Sequence, residues 1–148
     1  MNRAAGRLAT AVAAALWLAG CRAPVAPVPA PSPHDSCRAV SDSLAAAIPP
    51  GQSLAELQAR GIRVRTPLAF PPGSVPASSQ PGGATVQALI AADGTVVPGS
   101  PKTLKLVGEP QIASAVEAGA LSMVFDIDGV KPTAPVPFTT AISVCVKS

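Results

Sequence analysis

Residues 85–97 read Thr-Val-Gln-Ala-Leu-Ile-Ala-Ala-Asp-Gly-Thr-Val-Val. Thr85 to Ala91 is uncharged and rich in β-branched and aliphatic residues, which predicts a strand. Asp93-Gly94 follows it, and glycine accepts positive φ at little cost, so the pair reads as a hairpin turn. Thr95 to Val97 continues the chain, and Leu104 to Val107 extends the return strand after the Pro98-Gly-Ser-Pro101 break. Further on, Gln111 to Leu121 reads as a helix, with Ile112 and Val116 sharing a face with Gly119 or Ala120. Met123 to Ile127 is a short apolar strand, and Asp128-Gly129 gives another turn. Phe138 to Val146 alternates at period two: Phe138, Thr140, Ile142, Val144 and Val146 on one side, Thr139, Ala141, Ser143 and Cys145 on the other. The order strand–strand–helix–strand–strand over residues 84–148 predicts an α+β fold, a small antiparallel sheet with a helix packed on one face.

Working toward the N-terminus, residues 36–83 read as short helices and loop. Ser41 to Ile48 predicts a helix begun by Ser41 or Asp42 and stopped by Pro49-Pro50-Gly51. Ser53-Leu-Ala-Glu56 fits a capping box, so residues 54–60 read as a second helix, ended by Gly61. Ile62 to Arg65 alternates as a brief strand, and Pro71 to Gly83 is a Pro/Gly/Ser loop. Arg60, Arg63 and Arg65 form a small basic cluster, read as a solvated strand face in preference to a contact with anionic lipid or peptidoglycan.

Residues 21–35 differ in character. Arg22 to Pro33 alternates Pro with Ala and Val, the composition of a polyproline-II tether. At about 3.1 Å per residue it reaches roughly 35 Å. It serves either as a spacer or as plain filler. Residues 1–20 carry Arg3 and Arg7, then an uncharged run from Leu8 to Gly20. A charged head and a short apolar run read as a signal peptide. About 13 residues span roughly 20 Å as a helix, short of the roughly 30 Å bilayer core. The run closes with Leu18-Ala19-Gly20-Cys21, which resembles the lipobox of bacterial lipoproteins. The resemblance implies cleavage before Cys21 and a thioether to diacylglycerol on its sulfur, the alternative being an ordinary secretory peptide followed by a chance cysteine. Arg22 is not the aspartate associated with inner-membrane retention, so the resemblance favours the outer membrane, the domain facing the periplasm. Two or three acyl chains, palmitate among them, anchor stably where one does not.

With Cys21 lipidated, Cys37 and Cys145 remain of three cysteines. In an oxidising compartment they read as one disulfide, tying the start of the folded region to the last strand. The alternative is two separate buried thiols. Two cysteines and His34 lack the spacing of a metal site. Removing the leader takes two of the eleven Lys/Arg, leaving nine against eight Asp/Glu, a net of +1. A nearly neutral chain with no basic stripe gives no reason to expect nucleic acid. Outside the leader, with its Trp17, the aromatic residues are Phe70, Phe125 and Phe138, so the core is modest and a cross-link would help it.

Residues 86–146 resemble the C-terminal domain of TonB-like energy-transducing proteins. The stretches that carry the resemblance are Val86 to Val97 with its Asp93-Gly94 turn, Ala115 to Phe125, Asp128-Gly-Val-Lys-Pro132, and Val136 to Val144. Phe70-Pro71 matches the Tyr-Pro that often precedes the first strand. Met123 and Ile127 stand where the family often has Trp and Pro, and the lipobox leader replaces the family's inner-membrane helix. The resemblance implies a small sheet whose edge accepts an extended peptide from an envelope protein, with side chains selecting sequence. It points to the final strand, with Phe138, Thr140, Ile142 and Val144 as partner-binding residues. The alternative is an interior or capped strand.

Chemistry for catalysis is thin. His34-Asp35-Ser36 holds triad residue types, but sequence neighbours rarely face each other productively, and a helix or turn cap is the better reading. Asp126-x-Asp128-Gly129 lacks the further oxygen ligands of a calcium loop and reads as a β-turn. No catalytic residue, metal or cofactor is expected. The expectation is a non-enzymatic envelope lipoprotein that binds a periplasmic or outer-membrane protein, in a transport-related role. The alternative is a stand-alone structural or small-ligand-binding lipoprotein.

Overall fold

A computed structural model describes residues 26–77 and 80–145. The leader, Cys21 and Val146 lie outside the described residues. Ala26 to Pro31 is exposed and without regular structure. Ser32 then starts helix α1 (Pro33–Ala45): its hydroxyl accepts from the Asp35 N–H, and Pro33 occupies the first turn, where no N–H is needed. The helix therefore begins eight residues before Ser41, and residues 33–35, read above as tether, belong to it. The Pro/Ala alternation masked a Ser-Pro-x-Asp start signal.

Helix α2 (Leu54–Ala59) has the expected capping box, the Ser53 hydroxyl and Glu56 carboxylate each accepting from the other's N–H. Gly61, at φ +89°, ends the turn that follows. Strand β1 (Arg63–Thr66) comes next, then the long strand β2 (Gly82–Ile90). Gly82 and Gly83 belong to β2 and not to the loop. A side chain at Gly83 would collide with the Ile142 carbonyl and Leu44, so the strand needs its bare backbone there. Strand β3 (Lys102–Val107), helix α3 (Pro110–Ala120), β4 (Val124–Asp126) and β5 (Val136–Val144) complete the order. The chain is α+β.

Three strands form one antiparallel sheet in the order β3-β2-β5. β2 and β5 pair over nine residues, from Gly82↔Val144 to Ile90↔Val136. Short β4 pairs instead with β1, and touches the main sheet through Phe125, whose N–H donates to the Gly94 carbonyl at 2.8 Å. Helix α3 covers one sheet face, placing Ile112, Val116 and Ala120 against Ala84 and Val86. A second cluster, from Leu57 and Ile62 to Phe125 and Phe138, fills the far end. The Phe125 and Phe138 rings lie 4.8 Å apart at 59°. Helix α1 lies on the opposite face, its buried Leu44 beside Gly83 and its Leu44 carbonyl accepting from the Thr85 hydroxyl at 2.7 Å. The sheet thus has a helix on each face, where the sequence reading placed one. Among the described residues no helix is long and apolar enough to cross a membrane.

Candidate functional site

β5 is an edge strand by its place in the sheet. Which of its groups face outward follows from one bond. The Thr139 N–H turns away from β2 and donates to the Gln52 carbonyl at 2.7 Å. In an antiparallel pair, N–H and C=O of one residue point to the same side and alternate along the chain. The main chain of Pro137, Ala141 and Ser143 therefore also faces outward. Pro137, exposed and lacking an N–H, fits an unpaired edge position.

Side chains divide the other way. Phe138 is fully buried and Thr140 is 5% exposed, both packed under the α3 side of the sheet. Ile142 and Val144 are half-buried against the α3 cluster. Phe138 and Thr140, expected as partner-binding residues, have buried side chains, and Thr140 also borders the groove described next. What the edge presents is main chain, with Thr139, Ala141 and Ser143 on the α1 side.

Beside that edge runs a groove of about 430 Å³. Leu44, Ala45, Ile48 and Leu54 form its apolar wall, and Ser41, Thr139, Ala141 and Ser143 line it as well. Among the described residues no charged side chain lines it. The Ser41 hydroxyl bonds the Ser143 hydroxyl at 2.9 Å. Gln52 ties β5 to β2: its side-chain oxygen accepts from Gln87 at 2.5 Å and from the Thr139 hydroxyl at 3.1 Å. Ser53 and Thr139 form a single parallel bridge, after which the chain turns into α2. The protein thus occupies the outward slot at Thr139 itself, and no further strand of the described residues pairs with β5 at Ala141 and Ser143.

Cys37 in α1 and Cys145 just past β5 are disulfide-bonded, Cα to Cα 5.7 Å, across 108 residues. Cys145 is exposed and Cys37 half-buried.

The remaining candidates resolve into local structure. His34, Asp35 and Ser36 form the first turn of α1. The Ser32 hydroxyl donates to the Asp35 carboxylate at 2.6 Å and holds it below its usual range, although slight desolvation opposes this. Asp126 accepts from the Asp128 N–H in a turn. Asp93 accepts from the Thr95 hydroxyl and N–H, which lowers its carboxyl in the same way. Arg63 and Arg65 are exposed on β1, where charge discourages further strand pairing. Among the described residues no group of three or more His, Cys, Asp or Glu is placed to hold a metal.

Sequence reasoning missed Ser41, Leu44 and Ile48 as groove residues. Their only signal was an amphipathic stretch ahead of Pro49-Pro50, which names a helix and not what it covers. No protein-family model matches the chain, and no curated protein matches it.

Proposed function

We propose that this chain is a non-enzymatic lipoprotein of the bacterial envelope, anchored through Cys21, whose α+β domain docks an extended segment of a periplasmic or outer-membrane protein along β5. The observation that carries the reading is the outer edge of β5, which among the described residues pairs with no further strand at Ala141 and Ser143, beside a groove that no charged side chain among them lines. Backbone groups there would bond the incoming segment, and the walls favour small or apolar uncharged side chains on it. The TonB-like pattern of residues 86–146 supports a transport-related partner, and the lipobox with Arg22 after it supports the outer membrane.

Ala141→Pro tests the docking. It deletes an outward N–H that the β2–β5 ladder does not use, as Pro137 already does two slots earlier. Cross-linking and pull-down from envelope extracts should lose the partner, while thermal unfolding stays within a few degrees of the parent, since an exposed edge substitution costs only about 1 kcal/mol. A partner retained at parental yield overturns strand pairing. It would favour the alternative, a small apolar ligand held by the groove walls.

A further inference from the structure

Helix α1 is attached unevenly. Both hydrophobic clusters draw on residues from Leu54 to Val144, and neither includes a residue of α1. Leu44, in the last turn, is the one buried residue of the helix. From Pro33 to Ser43 every side chain is exposed or half-buried. Pro33, Ser36 and Val40 line, with Gln80 and Pro81, a groove of about 420 Å³. Among the links of this front portion to the sheet are the Ser41–Ser143 hydrogen bond and the Cys37–Cys145 disulfide. A 13-residue helix has little stability of its own without packing. Cys145 is exposed, so a thiolate can reach its sulfur.

We propose that Cys37–Cys145 is a redox latch: reduction by a dithiol releases Pro33 to Ser43 from the sheet while both core clusters stay folded. The dithiol's thiolate attacks the Cys145 sulfur and expels the Cys37 thiolate. The second thiol then attacks the mixed disulfide and expels Cys145. Two electrons and two protons pass to Cys37 and Cys145, and the dithiol becomes a disulfide. Release removes Ser41 from the groove wall and adds eleven residues, 33 to 43, to the chain leading from the domain. That it thereby weakens peptide docking and lengthens an anchor rests on the proposed function. The latch itself does not.

Hydrogen exchange of the full chain in detergent, with dithiothreitol as the dithiol, tests the latch. On reduction, amides between Cys37 and Ser43 should exchange at least tenfold faster, and at least tenfold faster than Val86, Ala88, Phe138 and Thr140, which open only with the whole fold, and reoxidation should restore the first group. The double variant Cys37→Ser, Cys145→Ser should show the reduced pattern without reductant. Unchanged protection of α1 overturns the latch. So does equal protection of α1, β2 and β5 after reduction, since the helix would then open only together with the sheet. No partner or lipid enters this readout, so failure of β5 docking leaves it standing, and its own failure leaves docking untouched.

Discussion

Gly94 combines two demands that no other residue type meets. Its φ is +84°, and a Cβ there would fall on the Phe125 carbonyl oxygen. The same glycine's carbonyl accepts the Phe125 N–H, so the turn is the joint between the two sheets. Gly94→Ala should cost about 2–4 kcal/mol, from left-handed backbone strain plus displacement of β4, read as a drop in the urea midpoint at constant slope. Glu56 makes a pH-dependent contribution. Its carboxylate accepts from the Ser53 hydroxyl and from the Gly51 and Ser53 N–H groups, and the hydroxyl bond is the main cause of its lowered pKa. A carboxyl depressed in the folded state stabilises at neutral pH and loses that contribution as acid protonates it. The loss sets in below the ordinary glutamate range of about 4.3 and completes below the lowered value. Melting curves from pH 7 into that window should fall less steeply for Glu56→Gln than for the parent. Superimposable acid profiles would mean the cap contributes nothing.

Strand β5 shows how one element serves two purposes. Its side chains at Phe138 and Thr140 belong to the core, while its outward main chain belongs to the edge. The two roles predict opposite mutant behaviour. Phe138→Ala removes a fully buried ring stacked near Phe125 and should cost about 3–5 kcal/mol in urea unfolding. A residue that served only partner contact would leave the midpoint where it was. Helix α3 is simpler. Its buried Ile112, Ala115, Val116, Gly119 and Ala120 form the single stripe that the sequence periodicity names. Its Glu117 carboxylate accepts from both the Thr103 N–H and hydroxyl, pinning the irregular stretch of β3.

Across the whole molecule, Cys37–Cys145 closes a loop spanning nearly all of the described domain. Few large side chains build the core, and restricting the unfolded chain offsets that: a loop this long contributes up to about 4–5 kcal/mol in the chain-entropy treatment. The cross-link also brings the end of the Pro-rich segment to the end of β5, so any pull on that segment reaches the candidate docking strand directly. Under the proposed anchoring, Cys21→Ser should abolish palmitate labelling and shift the protein from membrane to soluble fractions, and globomycin should accumulate the uncleaved form. Unchanged fractionation and size for Cys21→Ser would remove the lipid anchor from the account.

The amino-acid order alone determined the local structure of residues 84–145. An uncharged run of β-branched and aliphatic residues marked β2, alternation marked β5, Asp93-Gly94 marked the turn, and the 3.6-residue stripe marked α3, because each signal is written within a few neighbouring residues. The capping box at Ser53 and Glu56 was legible for the same reason. Tertiary structure decided the rest: that α1 lies across the second face of the sheet, that β4 joins β1, and that the Gln52 carbonyl fills the outward slot of β5 at Thr139. Those outcomes depend on contacts between residues tens of positions apart, such as Ser41 with Ser143 and Gln52 with Thr139. A period or a turn motif carries no information about which distant surface a side chain meets.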